Sequence, residues 1–106
     1  MASDKQTVEY YADQMSAAGE IRYRAMFGEY GVYCDDKVVA FICDNELFVK
    51  PTEVGYSYLD ASYEAPPYPG AENYLQVPQD KIDDHSWLSK FIRATAVELP
   101  PPKPKR

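Results

Sequence analysis

The chain has 106 residues, of which 45% are apolar and 26% charged. That composition is typical of a soluble globular protein, and the length suffices for one modest core without metal or disulfide staples. No apolar run approaches bilayer length and no basic-then-apolar leader opens the sequence, so neither a membrane anchor nor a signal peptide is expected, and a cytoplasmic location is.

The formal net charge is −6. Lys103, Lys105 and Arg106 lie in a tail without acids, so residues 1–98 carry eight basic against seventeen acidic groups, a net of −9. Such a body repels phosphate backbones, which makes direct nucleic-acid binding unfavourable. Ten tyrosines against four phenylalanines suit half-buried surfaces and interfaces, because tyrosine joins an apolar ring to a polar tip. Two cysteines and one histidine do not make up a metal-ligand set, and no cofactor is implied. Cys34 and Cys43 read as free thiols.

The spacing Ser3-x-x-Gln6 fits a capping box before a helix over about Asp4 to Ala18. Val8, Tyr11, Ala12, Met15 and Ala18 share its inner face, and Gly19 is positioned to end it in a left-handed conformation. From Ile21 the period becomes two: Ile21, Tyr23, Ala25 and Phe27 point one way, Arg22 and Arg24 the other. Gly28 breaks that strand, and Tyr30–Cys34 forms the next. Asp35-Asp36 is a turn, Val38–Cys43 an all-apolar central strand, Asp44-Asn45 a second turn, and Glu46–Lys50 the returning strand.

Two-residue loops would pair Tyr33 with Val38, Val32 with Val39, Ile42 with Leu47 and Phe41 with Phe48. One face then holds Gly31, Tyr33, Val38, Ala40, Ile42, Leu47 and Val49; the other holds Tyr30, Val32, Val39, Phe41, Cys43 and Phe48. Neither face is polar. Pro51 suits the first turn of a short helix with Tyr56 and Leu59 inward. Tyr63 to Asn73 is a proline-rich loop, and Tyr74–Val77 a last strand stopped by Pro78. Asp83 or Asp84 caps a final helix striped by Trp87, Leu88, Phe91, Ile92 and Thr95. Residues 1–99 make one domain, and the Pro/Lys-rich residues 100–106 a disordered tail.

The order α-β-β-β-β-α-β-α argues for an α+β, two-layer fold with helices on one face of an antiparallel sheet. There is no Rossmann fingerprint or P-loop, because Gly28 and Gly31 lie between strands. These two glycines read as turn or bulge residues.

Arg24, Met26-Phe27-Gly28, Tyr30-Gly31 and Tyr33 resemble the signature of TfoX (Sxy) N-terminal domains. The likeness continues through Val39-Ala40, Leu47 to Lys50, and Tyr74-x-x-Val77-Pro78, covering about Val8 to Val97. Ala25 stands where the family has proline, and Glu29 where it has a second glycine. The resemblance implies a YgaC/TfoX-N-like fold, a stand-alone N-terminal module without the helical C-terminal domain of full-length members, and a link to bacterial competence regulation.

Function is expected on the doubly apolar sheet. Three helices cover one face; Tyr30, Val32, Val39, Phe41 and Phe48 would remain on the other, for a protein partner, a homodimer mate or the 63–73 loop to cover. The alternative is a small-ligand or anion site using Arg24, Lys50 and nearby tyrosines. A DNA-binding role would rest on the basic tail. An enzyme is not expected, since no nucleophile, base and metal set is recognisable: His85 and Asp83-Asp84 suit a helix start, and Asp35 and Asp36 oppose a Cys34 thiolate.

Overall fold

The computed structural model describes residues 3–26 and 29–101. Helix α1 (Lys5–Gln14) leads through a 3-10 turn (Ser16–Ala18) into strands β1 (Ile21–Met26), β2 (Glu29–Cys34), β3 (Lys37–Cys43) and β4 (Glu46–Val49). Two 3-10 turns (Gly55–Ser57 and Ala61–Tyr63) precede β5 (Glu64–Ala65), β6 (Tyr74–Gln76), α2 (Gln79–Ile82) and α3 (His85–Glu98). The six strands form one antiparallel sheet in the order β1-β2-β3-β4-β6-β5. The fold is therefore two-layer α+β, with β5 and α2 as short elements beyond those expected.

Both hairpin turns follow from local chemistry. Asp35 and Asp36 have φ of 51° and 70°, and Asp44 and Asn45 of 53° and 63°. Two successive left-handed residues match the twist of the flanking strands, and Asp and Asn tolerate that conformation best after glycine. The expected pairs Tyr33–Val38, Ile42–Leu47 and Phe41–Phe48 all form.

The pairing of Val32 with Val39 does not. Val32 lies opposite Ala40, and the register shifts between Val32 and Tyr33. Val39 is thus the extra residue of a β-bulge, and its carbonyl accepts from the Lys50 N–H at 2.8 Å. A bulge reverses which side chains share a face beyond it. Val39, Ala40 and Ile42 all enter the core, together with Val32 and Cys34 of β2, Leu47 and Val49 of β4, and Leu75 of β6. Tyr30 packs against this cluster, edge-on to Tyr23 at 5.8 Å. Phe41, Phe48 and Gly31 share the opposite face in one cross-strand row with Arg24. The face grouping drawn from the sequence is corrected accordingly.

The helices sit on the core face. Val8, Tyr11 and Met15 come from α1 and its end, Ala18 from the 3-10 turn, and Leu88, Phe91, Ile92 and Ala96 from α3. Asp84 caps α3, its carboxylate accepting from the Trp87 N–H at 3.1 Å. At the other end, the Lys37 ammonium donates to the Ala96 and Leu99 carbonyls at 2.7 and 3.0 Å, a cation where the helix leaves carbonyls unpaired. The Glu98 carboxylate accepts from the Glu53 and Val54 N–H groups at 2.8 and 2.9 Å.

Three local expectations are corrected. Ser3 does not cap α1; Asp4 is the N-cap residue without a side-chain bond, because the Ser3 hydroxyl is drawn to Glu29. Gly19 follows a 3-10 turn with φ 156° and ψ −157° rather than a left-handed cap. A Cβ there would meet Asp35 Oδ2 at 2.9 Å and Cys34 Sγ at 3.0 Å. No helix starts at Pro51, and Tyr56 is exposed while Leu59 is buried.

The revised faces give a direct test. Val39→Asp places an unpaired carboxylate in a fully buried position and should cost more than about 4 kcal/mol, which unfolds a domain of this size. Arg24→Asp, on the exposed side of β1, should stay within about 0.5 kcal/mol. Urea denaturation followed by circular dichroism separates the two.

Candidate functional site

The sheet face away from the helices carries the candidate site. Its central row runs Arg24, Gly31, Phe41, Phe48 across β1 to β4. Gly31 is a mid-strand residue, not a turn residue as the sequence suggested. A Cβ added to it would meet Met26 Cε at 2.9 Å and Phe41 Cε1 at 3.5 Å. The bare glycine lets Met26 and Phe41 lie across the sheet surface, a close approach that no larger residue permits without displacing them. The expected role for Gly28 lies outside the described residues.

The segment between β5 and β6 folds back over this face. Phe41 packs against Tyr74 with the rings tilted and their centroids 5.5 Å apart, and a cleft of about 180 Å³ lies between Phe41, Pro67, Tyr68, Ala71, Glu72 and Tyr74. A larger cleft of about 550 Å³ is lined by Met26, Glu29, Tyr30, Phe41, Cys43 and Tyr68. Both are bordered by Phe41 and Tyr68, so Tyr68, 57% exposed, stands as a ridge between two hollows, the larger apolar and the smaller mixed in character, with Glu72 in its wall. The proline-rich loop is a partial roof rather than a full cover. The sequence could not place Tyr68 here, because nothing local fixes where a loop of this kind returns.

The five partner-face candidates therefore divide. Val32 and Val39 are core, and Tyr30 packs on the core while reaching the larger cleft. Phe48 is buried on the second face and Phe41 half-buried there. Arg24 and Lys50 are not brought together. Arg24 shares a row with Phe48 across three strand spacings, about 14 Å, and Lys50 lies beyond Phe48 at the end of β4. The neighbouring Arg22 pairs with Asp36 at 3.2 Å.

Glu29, at the lip of the larger cleft, is a residue that sequence reasoning missed. Its carboxylate accepts from the Ser3 N–H and hydroxyl at 3.1 and 2.6 Å, and from the Asp44 N–H at 3.1 Å. The Ser3 hydroxyl oxygen in turn accepts from the Asn45 N–H at 3.0 Å. The Asn45 amide oxygen accepts from the Asp4 N–H at 2.8 Å and its carbonyl from Tyr11 at 2.7 Å. This network ties the N-terminal segment, the β2 start and the β3–β4 turn into one corner. The partners lie up to 42 residues apart, so no local signal announces them.

Cys43 forms part of the cleft wall, and Cys34 lies in the core; neither is in a disulfide. Burial, then the nearby Glu29 charge, pushes the Cys43 thiol up to about 11. Burial followed by Asp35 raises Cys34 as well. Both are neutral thiols at physiological pH, unsuited to nucleophilic work. Among the described residues, no cluster of three His, Cys, Asp or Glu side chains could hold a metal, and no helix is long and apolar enough to cross a membrane.

An antiparallel sheet with helices on one face and a partly roofed aromatic cleft on the other defines an α+β module without a recognisable catalytic constellation among its described residues. The TfoX N-terminal domain family matches residues 13–98, and the chain belongs to that family. It is 38% identical over 106 residues to the "Uncharacterized 12.7 kDa protein in trpE 5'region" of Spirochaeta aurantia, covering 100% of this chain and 91% of that protein. It is 26% identical over 93 residues to "Protein Sxy" of Escherichia coli, covering 82% of this chain but only 43% of that protein.

Two outcomes are expected. Glu29→Ala should lower stability by about 1–3 kcal/mol, because it leaves several N–H and O–H donors without their charged acceptor; urea titration measures it. The folded chain holds the Cys43 proton up to about 11, whereas an unfolded thiol releases it near about 8.5. Its stabilising contribution is thus present below the unfolded value and is lost as pH rises towards 11. Thiol titration at pH 7.5 should find both cysteines slow to react until the chain unfolds.

Proposed function

We propose that this chain is a non-enzymatic protein-interaction module that contributes to transcriptional regulation of the kind its family's competence regulators perform. Partner contact uses the second sheet face, with Tyr68 as the central contact. The observation that carries this reading is the pair of aromatic hollows bordered by Phe41 and Tyr68, left open by the loop that half-covers the face. An exposed aromatic beside an apolar hollow that a partner would desolvate is the arrangement that concentrates binding energy at protein interfaces.

The anion-site alternative needs Arg24 and Lys50 to converge, and the strand order separates them. The acidic body equally disfavours direct contact with DNA, so the module would act on transcription through a protein. The family assignment supports a regulatory setting, and the cleft supports the mode of contact.

Affinity capture from the native bacterium, quantified by mass spectrometry, tests this. Tyr68→Asp should lose the specific partner at least tenfold, while Lys90→Glu on the exposed side of α3 should retain it. Equal capture by both variants would refute the second face as the docking surface.

A further inference from the structure

Cations absent from the aromatic hollows gather on the outer side of α3. Residues 1–98 hold eight basic side chains against seventeen acids, yet Lys90 and Arg93, together with His85, open onto one cleft of about 590 Å³. Ser86, Ser89 and Ala94 of the same helix line it, and Ala17 and Tyr58 complete its wall. No carboxylate belongs to that lining. The volume falls within the range of small-ligand sites, about 300–1,000 Å³.

Helical spacing brings the donors together. Ser86 and Lys90 are four residues apart and Lys90 and Arg93 three, so each pair sits one turn apart on the same face. Arg93 is held in place, its Nη1 donating to the Ala18 carbonyl at 3.4 Å and to Asp35 at 3.0 Å. The side chain is still 56% exposed. The Ser89 hydroxyl donates to the Gln14 carbonyl at 3.0 Å, which fixes α3 against the end of α1. Lys90 forms no ion pair among the described residues. The acids that flank or touch the cluster are engaged elsewhere as well: Asp35 accepts from the Glu20 N–H, Asp83 from Tyr10 and Gln79, and Asp84 from the Trp87 N–H.

Ammonium, guanidinium and hydroxyl donors around one cleft suit a phosphate group, whose oxygens accept from several donors at once. Ala17, Ala94 and the Tyr58 ring suit an apolar or flat body attached to it. Repulsion from the acidic body grows with the charge of the ligand, so a single phosphate is admitted where a nucleic acid is turned away. We propose that the α3 cleft binds a small phosphate monoester with an apolar or aromatic body. The phosphate lies between Lys90 and Arg93, and its organic body packs on Tyr58 and the two alanines. The site belongs to the helix layer, across the sheet from the Tyr68 hollows, so it stands or falls independently of partner docking.

Titration of the isotope-labelled full chain with phenyl phosphate, followed by amide chemical shifts, tests this. Saturable shifts at Ala17, Tyr58 and the α3 residues from His85 to Ala94 are expected below about 10 mM, within the millimolar affinity that a few exposed charge contacts sustain. Inorganic phosphate should bind the same residues more weakly, and phenol should not saturate. Lys90→Ala and Arg93→Gln should each weaken phenyl phosphate about tenfold, the factor carried by one lost charge-assisted hydrogen bond. Arg22→Ala, which removes the same charge from the exposed side of β1, should leave binding unchanged. Circular dichroism checks that each variant is folded. No saturable shift, or shifts centred outside the cleft, would overturn the proposal, as would full affinity in Lys90→Ala. Inorganic phosphate or glycerol phosphate binding as tightly as phenyl phosphate would overturn the apolar body assigned to the ligand.

Discussion

The bulge at Val39 determines which side chains of the central strand meet the helices and which meet the opposite side. Without it, strict alternation would set Val39 and Phe41 on one face and bury only every second residue. The extra residue lets Val39, Ala40 and Ile42 all enter the core, while Phe41 and Cys43 turn outward. β3 is central, hydrogen-bonded to β2 and β4, so the change of parity propagates. Tyr30 and Val32 follow their β3 partners inward, and Gly31 is left opposite Phe41. The open space over Gly31 is then filled by Met26 and Phe41, which together shape the cleft. Core and cleft are thus two consequences of one inserted residue.

Much of this fold was legible because its signals are local. Left-handed Asp and Asn residues mark the hairpins, and the Trp87 to Thr95 stripe marks α3, as the turn dihedrals and the buried face confirm. The bulge was not legible, for a physical reason. Val38 to Cys43 is apolar at every position, so sliding the register by one exchanges one apolar residue for another and leaves no period to betray the slip. The site suffered most from this. Its face assignment depended on parity, and its ridge, Tyr68, comes from a loop whose position is set by tertiary packing. The family signature survived because it records residues rather than registers; Gly31 belongs to it through close packing in mid-strand, not through a turn.

The acidic excess also acquires a structural role. Among the described residues only two ion pairs form, Arg22–Asp36 and Arg93–Asp35, both exposed and worth little. Carboxylates instead accept from backbone N–H groups: Glu29 at Ser3 and Asp44, Asp35 at Glu20, Glu98 at Glu53 and Val54, Asp60 at Ser62, Asp84 at Trp87. Each satisfies a donor at a turn or helix start that water would otherwise have to serve. The Glu20 N–H, with Arg93 adding to it, holds the Asp35 carboxyl below its ordinary value. The negative charge therefore organises connections in a chain whose elements are short, and lysine performs the mirror task at the end of α3.

That same charge governs what the open aromatic face can accept. An apolar cleft on a neutral protein attracts any exposed hydrophobic surface, whereas a body of net −9 adds long-range repulsion towards other acidic surfaces, nucleic acids among them. If the face docks a partner as proposed, apolar packing at Tyr68 and Phe41 supplies affinity at short range and the surrounding field decides which partners arrive. On the reading proposed above, a partner gains by bringing positive charge together with groups that fit between aromatic rings. On that reading, selectivity is an electrostatic filter set around a hydrophobic contact, and of the two rim acids Glu72 is the one free of the corner network that Glu29 holds together.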